Sequence, residues 1–321
     1  MNITFRYDAT RLNEPEFVRD RVDEALPNYF ELSANIDHIL GYLTQAEMDA
    51  GTEGLNSNFL TKMFVGIVDT FLAMGNTFIT KFTQFGKDLK RSEIKEYVQS
   101  NKLKVAAAHA ALKRAEPQTL NNLQVDAPSQ MKAALTDAYA AIVEIYSALK
   151  LIPYAEHCLV ELESIASQME NTDVTQAVKK FATNVINAHK PIVPLVAKCQ
   201  TMFAGDRFQT KYKFSALYKN AADFEKCTNE LYAGANYLQD VAKITKLVDK
   251  FEISLKNITT IVETCNENGK TVIDANTIKN FGEAIKKIAF FFDTYVMAST
   301  RQMAIEHNHV LNINTVYQTV K

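Results

Sequence analysis

The sequence predicts an all-α protein, an elongated bundle of long, kinked helices with no significant sheet. Helix breakers are scarce: no glycine lies between Gly86 and Gly205, and no proline occurs in the 127 residues after Pro194. Sheet proteins need turn residues about every 8–12 positions, and this chain has few to offer. Apolar residues also recur at the 3–4-residue spacing of an amphipathic helix along most of the chain. The composition supports a folded core. It is 47% hydrophobic and 22% charged, with 19 Phe, 13 Tyr and no Trp, too apolar for a disordered chain.

Residues 1–26 mix Asn, Arg, Glu and Pro15 without a period and read as an extended arm or short helix. Pro27 suits a first helical turn, and the helix it opens places Tyr29, Leu32, Ile36, Leu40 and Leu43 on one face until Gly51 and Gly54 break it. Between 56 and 90 an aromatic-rich helix carries Phe64, Phe71, Phe78, Phe82 and Phe85, with Gly66, Gly75 and Gly86 among them as marks of bends or close contacts. Ser92 is a cap for the next helix, which ends near Asn101, and Val105–Arg114 continues it as an alanine-rich segment.

Residues 117–128, with Pro117, Asn121, Asn122, Asp126 and Pro128, read as a linker. This divides the chain into an N-terminal arm and Phe-rich helical region (1–116) and a long-helix bundle (129–321). Ser129 caps a helix to about Ile152, Pro153 restarts it, and Asn171-Thr172-Asp173 caps another. Pro191 and Pro194 bend the path into 195–203. Tyr212–Cys265 reads as one nearly continuous run that Gly234 interrupts, closed by the turn Asn266-Glu267-Asn268-Gly269. Asp274 or Asn276 starts the last long helix, and residues 310–321 read as a terminal extension.

Net charge is −2, distributed in blocks of −7 (1–61), +6 (62–114), −7 (115–178) and +6 (179–321). No block is basic enough for a dedicated nucleic-acid surface, so no sequence-specific nucleic-acid partner is expected. Alternating blocks suit helices packed on oppositely charged neighbours, within one chain or between chains. Cys158, Cys199, Cys227 and Cys265 form no CxxC and read as buried thiols in a reduced compartment. The N-terminus lacks a signal-type apolar stretch, and Ile285–Ala298, the most apolar segment, is interrupted by Lys286, Lys287 and Asp293 and is too short to span a bilayer.

Candidate chemistry fails on its own terms. Asn268-Gly269-Lys270-Thr271 ends like a phosphate-binding loop, but the first glycine of that motif is replaced by Thr264. His307-Asn308-His309 reads as an exposed pair without further ligands. Glu156-His157-Cys158 reads as a buried thiol beside a surface imidazole, since adjacent helix positions diverge. No enzyme activity, metal, cofactor or small-molecule substrate is expected. The Phe-rich helix is read as core by default, then as a partner-binding helix through Phe64, Phe71, Phe78, Phe82 and Phe85, and last as membrane-active.

The order of segments resembles a known family. An acidic helix leads through Ala50-Gly51-Thr52-Glu53-Gly54-Leu55 into the Phe-rich helix, the basic Lys87-Asp88-Leu89-Lys90-Arg91-Ser92-Glu93-Ile94 follows, and a long helical body ends in Phe281–Met303. This is similar to virion structural proteins of large tailed bacteriophages, in particular internal head proteins. The resemblance implies a non-enzymatic virion component made in the host cytoplasm, with other virion proteins or copies of itself as partners. The alternatives are an α-helical pore-forming toxin component and a cytoplasmic helical adaptor.

Overall fold

The computed structural model describes residues 16–51, 55–88, 93–128, 134–150, 152–166, 174–202, 209–234, 241–269 and 273–320. Within these ranges the side chains of 16–28, 74–88, 128, 152, 163, 165–166, 209–210 and 241–245 lie outside the description. Of the described residues 89% are helical. The helices are α1 (Glu16–Ala50), α2 (Ser57–Asp88), α3 (Glu93–Ser100), α4 (Lys102–Arg114), α5 (Pro117–Asn122), α6 (Leu135–Leu149) and α7 (Ile152–Ala166). They continue with α8 (Val174–His189), α9 (Ile192–Met202), α10 (Phe214–Leu217), α11 (Ala221–Gly234), α12 (Val241–Glu267) and α13 (Ala275–Thr319). Strands β1 (Gln124–Pro128) and β2 (Gln209–Lys213) pair antiparallel, with Asp126 opposite Lys211.

Helix α13 is the axis around which the others pack. Asp274 caps it, its Oδ1 accepting from the Thr277 amide at 2.7 Å and the Thr277 hydroxyl at 2.9 Å. Beyond that cap the chain has no proline and one glycine, so 45 residues continue unbroken, roughly 67 Å at the α-helical rise. From Phe291 to Thr300, and again from Gln302 to Val310, every residue is buried. A helix enclosed on all faces is ordinarily apolar all round; this one is polar over much of its second half.

The first half of α13 meets α1, α2 and α8. Helix α1 runs antiparallel to it, with Glu47 beside Lys279, Asp37 on Lys286 at 2.6 Å, and the Tyr29 ring edge-on to Phe290 at 5.2 Å. Helix α8 runs parallel, pairing Phe181 with Phe281 and His189 with Phe290 and Phe291. Gly282 marks the crossing: a Cβ there would stand 3.2–3.3 Å from Leu40, Ile36 and Ile67. The second half meets α6, α4, α3 and β1. Helix α12 lies outside α2 and α7, and Asn266 near its end bonds Ser57 and Asn58 at the start of α2. Residues from both sides of the segment 117–128 share one hydrophobic core.

Several expectations are corrected. Residues 117–128 form α5 and strand β1, because the backbone of that segment is paired to β2 and to α13. Pro27 lies inside α1, which begins at Glu16 and accommodates the missing N–H within a 35-residue helix. The run from Tyr212 is not one helix: β2 occupies it to Lys213, and α10 and α11 precede α12. Residues 310–319 continue α13. The caps placed at Ser92, Ser129 and 171–173 fall outside the described residues. Other breaks lie where the sequence puts them. Helix α3 ends before Asn101, α7 starts beside Pro153, α8 ends before Pro191, and Gly51 and Gly269 close helices at φ +72° and +71°.

Two glycines test the packing. A Cβ on Gly234 would stand 1.1 Å from Tyr139 Oη, whereas a Cβ on Gly41 meets nothing within 4 Å. Gly234→Ala should destabilise by at least about 1–3 kcal/mol in urea unfolding, and Gly41→Ala should stabilise by about 0.5–1 kcal/mol. Equal midpoints for the two variants would refute this packing.

Candidate functional site

The densest assembly of chemistry-bearing side chains surrounds the C-terminal half of α13. His309 and Asn312, one turn apart, reach the same side of the helix and meet Tyr218 from the turn after α10, Thr228 from α11, His109 from α4 and the backbone of Asp126 in β1. His309, Asn312, Tyr218 and Thr228 are buried.

Donor counting orients the network. Asn312 Oδ1 accepts from the Asp126 amide at 2.8 Å, and its Nδ2 donates to the Asp126 carbonyl and to Tyr218 Oη, each at 3.1 Å. Both amide hydrogens are then used. Tyr218 Oη, already accepting, donates its proton to His309 Nδ1 at 2.9 Å. His309 therefore carries its proton on Nε2 and donates to Thr228 Oγ1 at 2.6 Å. The Thr228 hydroxyl donates back to the Phe224 carbonyl at 3.1 Å, and its remaining lone pair takes His109 Nε2–H at 3.1 Å. Each group has one role, and the Phe224 ring packs on both imidazoles.

Electrostatics reinforce this arrangement. Burial, and then the neighbouring His109, push His309 down to about 3. Burial also lowers His109 and raises Tyr218 well above its ordinary value. All three stay neutral near pH 7. His309, fully enclosed with both ring nitrogens engaged, holds a position and does not face a substrate.

A second set of ties lies along the same helix. Glu93 of α3 meets His307 Nδ1 at 3.3 Å, and the Tyr97 hydroxyl donates to Asn314 Oδ1 at 2.6 Å. Lys104 also bonds Asn314 and stands over the Tyr97 and Tyr317 rings at 5.7 and 5.5 Å. Further back, Tyr146 of α6 donates to Ser299 Oγ at 3.0 Å, and Gln302 Nε2 to Glu306 Oε1 at 2.8 Å.

The sequence-predicted sites fare as follows. Phe64 and Phe71 are buried in the chain's own core, Phe64 lying 4.5 Å from the Phe281 ring, which is the default reading of this helix. The side chains of Phe78, Phe82 and Phe85 lie outside the described residues. The exposed histidine pair is overturned. His307 and His309 are buried on a helix, two positions apart, and face different neighbours. In Glu156-His157-Cys158 the thiol is buried and accepts from Asn184 Nδ2 at 3.3 Å, while exposed His157 pairs with Glu161. Asn268-Gly269 is a helix-ending turn. The cysteines form no disulfide, and burial raises Cys199 to about 11 and Cys227 further. Among the described residues no group of three or more His, Cys, Asp or Glu is placed to hold a metal ion, and no helix is long and apolar enough to cross a membrane.

No protein-family model, curated protein or solved structure matches the chain.

Two outcomes follow from this geometry. His309 binds its proton far less readily folded than at the unfolded value of about 6.5, so its contribution is complete above pH 6.5 and is lost as pH falls toward 3. Denaturant unfolding at pH 4.5 should show a loss on the order of 2–3 kcal/mol from this residue relative to pH 7.5, with His189, lowered to about 4, acting in the same direction. His309→Phe should reduce that pH slope; an unchanged slope would refute the assignment. Asn312→Leu strands the Asp126 amide and carbonyl and should cost about 1–3 kcal/mol for each stranded group, seen as a lowered midpoint. A midpoint equal to wild type would rule out the Asn312 bridge.

Proposed function

We propose that the protein is a non-enzymatic structural component of a virus particle, an internal head or other virion protein, acting through helix–helix protein contacts. The observation that carries this reading is the use of the polar inventory around α13. His309, Asn312, His307, Asn314 and Ser299 tie α4, α11, β1, α3 and α6 to one long helix. A catalyst keeps such groups in reach of a substrate; here they fix the positions of helices around a rod about 67 Å long. A rigid rod with most of its circumference covered by helices suits a part that presents helical surfaces to neighbours. The assignment to a virion rests on the order of acidic helix, Phe-rich helix, basic segment and long helical body.

The test is proteomic. Mass spectrometry of gradient-purified particles from the virus that encodes this chain should find it in multiple copies per particle. Abundance in infected cells with absence from purified particles would overturn the reading. Dye release from liposomes by the purified chain would instead favour the pore-forming alternative.

A further inference from the structure

Among the described residues, two exposed helix faces are opposite in character. The outer face of α1 displays Phe30, Tyr42 and Met48 at 63, 64 and 75% exposure, among Ala34, His38 and Gly41. Phe30 and Met48, five turns apart, share one line of the helix with Ala34 and Gly41 close to it, and Tyr42 stands a third of a turn away. Among the described residues nothing lies within 4 Å of a Cβ built at Gly41. Residues 16–50 hold eight acidic and two basic side chains. Asp37 and Glu47 hold Lys286 and Lys279, while Glu31 and Asp49 stand on the exposed side.

The outer face of α4 is smooth and basic. Leu103 is 88% exposed, Ala106, Ala107 and Ala110 are exposed beside it, and Lys102 and Arg114 flank the row. No Asp or Glu occurs between Glu96 and Glu116. Bulky residues on an acidic helix thus match a flat alanine surface with basic ends.

The two faces cannot meet within one chain. The exposed stretch of α1 lies along residues 279–290 of α13, fixed by Glu47–Lys279 and Tyr29–Phe290. Helix α4 lies along the other end, fixed by Lys104–Asn314 and by His109 through Thr228 to His309. The separation along the axis is roughly 40 Å. The geometry points to a second copy of this chain as the occupant: the α1 face of one molecule docks on the α4 face of the next. Such a contact is heterologous, repeats head to tail, and closes into a ring or extends as a filament. It deepens the structural-component reading by naming a partner, and self-association of pure protein is measured independently of presence in a particle.

Sedimentation velocity of the full chain tests it. Wild type should associate with rising concentration, less so at high salt. Tyr42→Lys with Met48→Lys, or Leu103→Glu with Ala107→Glu, should each give monomer, and an equimolar mixture of the two double variants should restore a dimer, because each keeps one intact face. Thermal melts matching wild type establish that both variants are folded. Zero-length cross-linking of mixed light and heavy wild-type protein gives a second readout and should join Lys102 to Glu31 or Asp49 of another copy. A wild type that stays monomeric overturns the inference. So does loss of association through the α1 variant alone, which would mean a symmetric α1–α1 contact, or intermolecular cross-links confined to other surfaces.

Discussion

Enclosing α13 from Phe291 to Val310 presses the polar groups it carries there to find partners inside the protein, and the ties between distant segments answer that demand; among the described residues Thr294 Oγ1, Gln302 Oε1 and His307 Nε2 stay buried without one. An unsatisfied buried amide or hydroxyl costs far more than a satisfied one contributes. The partners come from distant parts of the sequence: β1 for Asn312, α11 for His309, α3 for His307 and α6 for Ser299. An apolar core of the same size would tolerate several sliding registers of neighbouring helices. The Tyr218–His309–Thr228 chain, with each donor and acceptor assigned, accepts only one.

Charge works at a coarser scale in the same direction. The acidic first block meets the basic last block at Lys279–Glu47 and Lys286–Asp37, and the acidic third block meets it at Lys250–Glu156 and Lys180–Glu161. Each pair keeps at least one partner in reach of solvent and contributes modestly. Their bearing is on which helices approach in solution rather than on how firmly they stay.

Legibility in the sequence follows from where the cause of each feature lies. Breaks dictated by local backbone chemistry were readable: Pro153 and Pro191 at helix starts, Gly51 and Gly269 at helix ends, Asp274 as a cap. Strand β1 was not, because five residues beside Pro128 acquire their extended form from pairing with a distant segment and with Asn312. The burial of His307 and His309 was missed for a related reason: a helix polar on all faces is usually wet. The available signal was the absence of any Asp, Glu, Lys or Arg from His307 to Val320. A solvated helix of that length would carry charges. The burial of Phe64 and Phe71 agrees with the default reading of that helix as core, but which helices cover it lay beyond reach, since periodicity gives a face and not its neighbours.

The bridge from Asn312 to Asp126 has a bearing on how this chain behaves at high concentration. A two-stranded sheet exposes two rows of backbone donors and acceptors, and such rows recruit strands from other molecules and seed aggregates. On β1 the amide and carbonyl of Asp126 are occupied by a side chain that cannot propagate a ladder. On β2 the exposed Lys211 and Lys213 place like charges in the path of any incoming strand. The piece of sheet seen among the described residues is thereby denied the role of template, so that crowding many copies together favours contact through helices over fusion through strands.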